Sequence, residues 1–259
     1  MTKVISLFNI KGGVGKTTTT VNLAYASAKA GFKTLLWDMD PQGAASFYFR
    51  INNKVKGGFD GILNGTHAIA DQVKGSDFPD LDILPADMSY RHMDRELDEV
   101  GKSPLKQMKK LLQPLFDEYD YVFVDCPPHL SEAVAAVIIL SDLLIIPTIP
   151  TVLSMRTVKQ LRKFISKEQK INTPFRILFS QVDSRRKMHK EMVAYFLEKK
   201  SKAICVNNVP VMSDIEKMGL VRAPIASFAP THRAAKIYEG LFLEVVDCFL
   251  DKKLKSIAN

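Results

Sequence analysis

An apolar run at 4–8 leads directly into Asn-Ile-Lys-Gly-Gly-Val-Gly-Lys-Thr-Thr-Thr at 9–19, and an amphipathic stretch follows. A strand, a glycine-rich turn and a helix in that order put the turn at the carboxyl end of a buried strand, facing a helix amino terminus. The glycines let the backbone curl so that successive N–H groups converge on one point, and the helix opening near Lys16 adds its positive dipole end. The spacing predicts a triphosphate cradle made by Gly12, Gly13, Val14, Gly15 and Thr18, with Lys16 reaching the β/γ-phosphates and the Thr17 hydroxyl on Mg²⁺. The general pattern G-x-x-x-x-G-K-[ST] requires glycine at the position of Ile10, and it has no counterpart of Lys11. Because N–H groups already surround the phosphates on the side served by Lys16, Lys11 is expected to point outward.

Two further segments deliver acids to the same edge. In Leu-Leu-Trp-Asp-Met-Asp-Pro-Gln-Gly at 35–43, Asp38 and Asp40 leave an apolar strand and Pro41 stops its continuation. In Tyr-Val-Phe-Val-Asp-Cys-Pro-Pro at 121–128, another apolar strand ends in Asp125, and a small-residue helix is predicted from Ser131 to Leu140. Cys126, beside that acid, reads as a packing residue.

The K-G-G-V-G-K-T-T loop resembles the deviant Walker A of the ParA/MinD group of P-loop ATPases, and the D-x-D-P-Q and D-C-P-P segments resemble its ParA/Soj-type partition ATPases. The resemblance implies ATP and Mg²⁺ as cofactors, and a homodimer in which Lys11 crosses to the nucleotide of the second subunit. It implies catalytic roles for Lys11, Lys16 and Asp40, with Asp40 orienting the attacking water. Thr17, Asp38 and Asp125 then form the surroundings of the metal. It also implies that Pro210 lies against the adenine. Gln181 is either a polar contact to the base or a plain turn residue. Pro-Thr-His-Arg-Ala-Ala at 230–235 is similar to the segment that enters the family's last helix.

Further strands are predicted at 81–84, 143–146, 176–179 and 203–206, beside those at 4–8, 34–37 and 121–124, with helical patterns between most of them. This is an α/β pattern: a single-domain P-loop fold over 1–259, with a mostly parallel twisted sheet and helices on both faces. No helix-turn-helix segment is expected ahead of the first strand. At 259 residues and 46% apolar content the chain can bury a large core. Three widely spaced cysteines form no metal pattern and suggest a reducing, cytoplasmic setting. The apolar run at 133–150 is interrupted by Asp142 and two prolines, which suits a buried helix and strand and no membrane insertion.

Residues 1–130 carry 15 basic and 16 acidic side chains, whereas residues 131–259 carry 21 and 12. Beside a dimerising ATPase loop, this asymmetry favours a polyanion-binding face. The resemblance implies nonspecific DNA, with Arg185 or its neighbour Arg186 as a backbone contact and a nucleoid-associated protein as the result. The basic residues expected soon after Pro210 are replaced by Val211-Met212-Ser213-Asp214, leaving Lys199, Lys200, Lys202, Lys217 and Arg222 to rebuild the patch. A ParB-like or cargo-adaptor partner that stimulates hydrolysis is implied too, the cargo being a chromosome, plasmid, carboxysome or chemoreceptor cluster. Two other classes stay open. One is a MinD-like membrane switch, anchored by Leu241, Phe242, Val245, Val246, Phe249 and Leu250 with Lys252, Lys253 and Lys255. The other is a P-loop biosynthetic enzyme acting on a small molecule.

Overall fold

The computed structural model describes residues 1–101, 103–167 and 171–257, with the side chains of residues 167 and 251–257 excepted. Seven strands form one sheet in the order β3-β4-β2-β5-β1-β6-β7: β1 Lys3–Leu7, β2 Thr34–Asp38, β3 Lys74–Gly75, β4 Leu81–Leu84, β5 Tyr121–Asp125, β6 Leu143–Thr148 and β7 Phe175–Phe179. All neighbouring pairs are parallel except β3 with β4. β1 lies between β5 and β6, so the turn leaving it opens in the middle of the carboxyl edge.

The central strands are apolar on both faces, and their side chains divide by the two-residue period of a strand. Val4, Leu35, Trp37, Val122 and Val124 belong to one core cluster. Ile5, Leu7, Leu36, Tyr121 and Phe123 belong to the other. The first cluster is covered by α3 Gly58–Leu63, α4 Met93–Glu99, α5 Pro104–Phe116, α6 Glu132–Leu140, α7 Val152–Lys167 and α8 Lys187–Glu198. The second is covered by α1 Lys16–Lys29, α2 Ala44–Tyr48, α9 Ser213–Val221, α10 Ile225–Phe228 and α11 Arg233–Ile257. Leu241, Phe242 and Val245 of α11 are buried there, with Val246 and Phe249 packed against them, so this apolar face is spent on the core. Leu250 is exposed, and the side chains of Lys252, Lys253 and Lys255 lie outside the described residues. Among the described residues no helix is long and apolar enough to cross a membrane.

Two expectations about strands are corrected. The segment 203–206 is not a strand. It makes one bridge, with Ile177 N–H donating to Ala203 O at 2.7 Å and Cys205 N–H to Ile177 O at 2.9 Å. Pairing stops there because the Glu244 carboxylate of α11 accepts the next donors, Val206 N–H at 2.8 Å and Asn207 N–H at 2.6 Å. The short antiparallel β3 at the opposite edge was not foreseen, since Lys74 and Gly75 carry no strand pattern.

Candidate nucleotide site

The turn at 9–15 joins β1 to α1. Gly13 and Gly15 adopt φ of 69° and 85°, a region open to glycine without steric cost, and Gly15 caps α1 with no side chain hydrogen-bonded across its first N–H groups. Those donors are left for a ligand, and no acid sits in the first turn to compete with an anion. The loop is fixed from two distant segments, β6 and the residues just after β7. Asn9, fully buried, donates from Nδ2 to Pro147 O at 2.8 Å and accepts from Lys11 N–H at 3.0 Å. Ser180 Oγ donates to Val14 O at 2.7 Å, and Gln181 Nε2 donates to Gly13 O.

Lys16 is 7% exposed and its ammonium lies 3.4 Å from Lys11 O, folded across the loop. Burial lowers its pKa, while the charges of Asp125 and Asp40 work in the opposite direction. Lys11 is half-buried, and its Nζ donates to Ser154 Oγ at 3.4 Å near the start of α7.

The acids converge because β2 and β5 are adjacent and in register, with Asp38 opposite Asp125 at their carboxyl ends. Asp38 Oδ2 accepts from Ser46 N–H and Ser46 Oγ, both at 2.7 Å, and Asp125 Oδ1 accepts from Thr20 Oγ1 at 3.2 Å. Asp38 Oδ1 and Asp125 Oδ2 are buried and, among the described residues, have no hydrogen-bond partner. Burial pushes the Asp38 carboxyl up to about 8, with the charge of Asp125 adding to the shift. Burial likewise raises Asp125 to about 6, opposed by the Thr17 hydroxyl and the Lys16 ammonium. Two unpaired carboxylate oxygens in a dry site beside a threonine hydroxyl fit a small hard cation. Thr17, Asp38 and Asp125 would hold magnesium there, and when bound it supplies positive charge to the phosphate oxygens.

Asp40 stands one turn beyond. Its Oδ1 accepts from Gln42 N–H at 3.0 Å and its carbonyl accepts from Gly43 N–H at 2.8 Å, so a local turn aims the residue without burying it. Cys126 is buried beside Asp125 with its thiol pKa pushed up by burial, in keeping with a packing role.

Next to Gly15 and Thr18 opens a cavity of about 300 Å³ walled by Pro210, Gln181, Met212, Ile215 and Tyr238. It has the size and mixed lining of a base pocket. Pro210 and Gln181 are thus brought together, though the amide of Gln181 is engaged with the phosphate loop. Tyr48, Met212, Ile215 and Tyr238 were not singled out from the sequence. Neither were Asn9 and Ser180, whose only signal was a polar residue at a strand end.

The basic candidates lie on several elements. Arg185 and Arg186 precede α8 at the ligand edge, and both reach Asp183, through Arg185 Nε at 3.0 Å and Arg186 Nε at 3.7 Å. Lys199 and Lys200 follow α8, whose 12 residues place them about 18 Å away. Lys199 sits 4.4 Å from the centre of the Tyr195 ring. Arg222 stacks on Phe47 at 4.4 Å and donates to Phe47 O, while Lys217 pairs with Asp214 at 2.8 Å.

A family profile described as AAA domain matches residues 2–177. Over 254 residues the chain is 32% identical to the sporulation initiation inhibitor protein Soj of Bacillus subtilis (strain 168), covering 95% of this chain and 98% of that protein. The chain belongs to the Soj/ParA family of partition ATPases. The chromosome-partitioning ATPase Soj of Treponema pallidum (strain Nichols) is 31% identical over 95% of this chain and 98% of its own. Among solved structures, apo McdA of Cyanothece superposes with a TM-score of 0.81 at 19% identity, covering 95% of this chain and 100% of that one.

Proposed function

We propose that this chain is a nucleotide-controlled switch: it binds Mg-ATP at the β1–α1 loop, closes into a homodimer through Lys11, and in that state holds nonspecific DNA. Hydrolysis, stimulated by a partner bound to cargo, releases it. The observation that carries this reading is Lys11, a second lysine that the phosphate cradle does not need, half-buried at its mouth and, among the described residues, with a serine hydroxyl as its one side-chain partner. Asp40 orients the attacking water, a positioning role that suits the limited covalent work in phosphoryl transfer. Arg185 and Arg186 supply phosphate contacts that carry no base readout, so retention on DNA is sequence-independent and falls steeply with salt. Two copies double the basic surface and multiply avidity without new contacts.

Salt-titrated DNA binding with ATP, ADP and no nucleotide tests the scheme. ATP-specific, salt-sensitive retention by a dimer supports it. A chain that stays monomeric with Mg-ATP bound and turnover blocked removes the switch.

A further inference from the structure

A second, larger cavity of about 760 Å³, sharing no lining residue with the pocket beside the phosphate loop, lies between α5 and the segment 62–70, which begins in the last residues of α3. One wall is a helical stripe of α5 and the residue before it: from Ser103, the residues Lys106, Gln107, Lys110, Leu111 and Pro114 follow the three- and four-residue spacing of one helix face. From residue 103 to residue 114 that wall runs about 16 Å. The opposite wall is mainly apolar, with Ile62, Leu63, Ala68 and Ile69 lining it beside His67.

Among the described residues, the cations on this rim have no counter-charge. α5 contains Lys106, Lys109 and Lys110 and no acid. Lys106 and Lys110 are both exposed, and among the described residues neither has an ion-pair partner. An elongated apolar trough with two unpaired ammonium groups spaced one helical turn apart on its rim has the composition of a small-molecule pocket, mostly apolar with a few placed polar groups. The charge sets the sign of the ligand, and the apolar walls set its body.

We propose that this cavity binds a single-chain amphipathic anion, an alkyl chain lying along α5 with a carboxylate or phosphate head between Lys106 and Lys110. The assignment is independent of the nucleotide site and stands or falls separately from it.

The test is calorimetric titration of the whole chain with dodecanoate below its micelle concentration, alongside dodecyl phosphate, dodecanol and dodecyltrimethylammonium. Saturable one-to-one binding of dodecanoate is expected, tightening by up to about fourfold for each added methylene until the trough is full. The neutral alcohol is expected to bind at least tenfold more weakly and the cationic amphiphile not at all. Equal binding of dodecyl phosphate points to lysophospholipid as well as free acyl sources, and binding of dodecanoate alone points to the free carboxylate.

Two variants locate the site: Lys106→Glu with Lys110→Glu, which reverses the exposed rim, and Ala68→Trp, which fills the trough from its exposed wall. Both should keep basal ATP turnover, the first losing at least tenfold in dodecanoate affinity and the second losing binding altogether. Absence of saturable binding, equal binding of the cationic amphiphile, or unchanged affinity in both variants overturns the proposal. So does binding only of an acidic amphipathic helical peptide used as a control.

Discussion

Asp38→Asn should stabilise the protein in the absence of magnesium, and by an amount that depends on pH. Asp38 is fully buried, lies opposite Asp125, and its carboxyl is raised from 3.8 to about 8. Because the folded state holds this proton more tightly than the unfolded chain does, it binds more protons between pH 4 and pH 8. The contribution of Asp38 to wild-type stability therefore falls as pH rises through that window. A shift of that size has a ceiling of about 6 kcal/mol, but the burden is shared with Asp125. A gain of about 2–3 kcal/mol at pH 8.5, or about 5–10 °C in Tm, is the working expectation for a chain this long. Asparagine offers a carbonyl to Ser46, preserving the two bonds at 2.7 Å, and puts an amide in place of the unpaired Oδ1. Thermal unfolding in EDTA at pH 5 and pH 8.5 measures the difference, which should be small at the lower pH and largest at the higher. Equal effects at both pH values, or destabilisation at pH 8.5, would refute the electrostatic account. Saturating Mg-ATP should shrink or reverse the advantage, because a bound cation rewards the charged form that asparagine lacks.

Lys11→Ala should retain nucleotide binding and lose ATP-dependent dimers, as read by light scattering behind size exclusion. Asp40→Ala should bind ATP and dimerise normally while turnover drops about a hundredfold or more, leaving the dimer trapped on DNA; normal turnover removes the residue from the catalytic role. Replacing Arg185 and Arg186 together should abolish DNA retention with dimerisation intact, whereas unchanged retention moves the interface elsewhere. Gly43→Ala introduces a Cβ at φ 66° directly against the Asn53 side chain. A left-handed backbone with a Cβ costs about 1–2 kcal/mol before any clash, so a Tm loss of at least about 2–4 °C is expected.

What could be read from the chain alone was whatever has local causes. β1, β2 and β5 are continuous apolar runs because helices cover both faces, and β2 and β5 end in acids because the carboxyl edge is where polarity returns. The phosphate loop was legible since its glycines and Lys16 act within a few residues of one another. Asn9 and Ser180 were not, because each acts through a partner 138 or 166 positions away. The same distance misled the reading of 203–206, where Glu244 ends an otherwise plausible strand from 38 residues downstream. β3 has almost no sequence of its own to read, and its pairing follows from where the flanking loops leave it.

Lys11 shows what this means for the proposed switch. Its sequence context gave an outward lysine, and the folded chain lays it 3.4 Å from Ser154 Oγ, a hydroxyl that also accepts from Thr151 Oγ1 at 2.8 Å. A long hydrogen bond from an ammonium to a shared neutral acceptor, exchangeable for water, contributes about 1 kcal/mol. Moving Lys11 onto the phosphate of a second subunit therefore costs little, and a charge-assisted contact there exceeds what is lost. Ser154 then acts as a rest for the lysine and not as a lock, so Ser154→Ala should leave the ATP requirement for dimerisation intact. Dimers formed by that variant without nucleotide, seen at equilibrium sedimentation, would show instead that the serine holds the switch open.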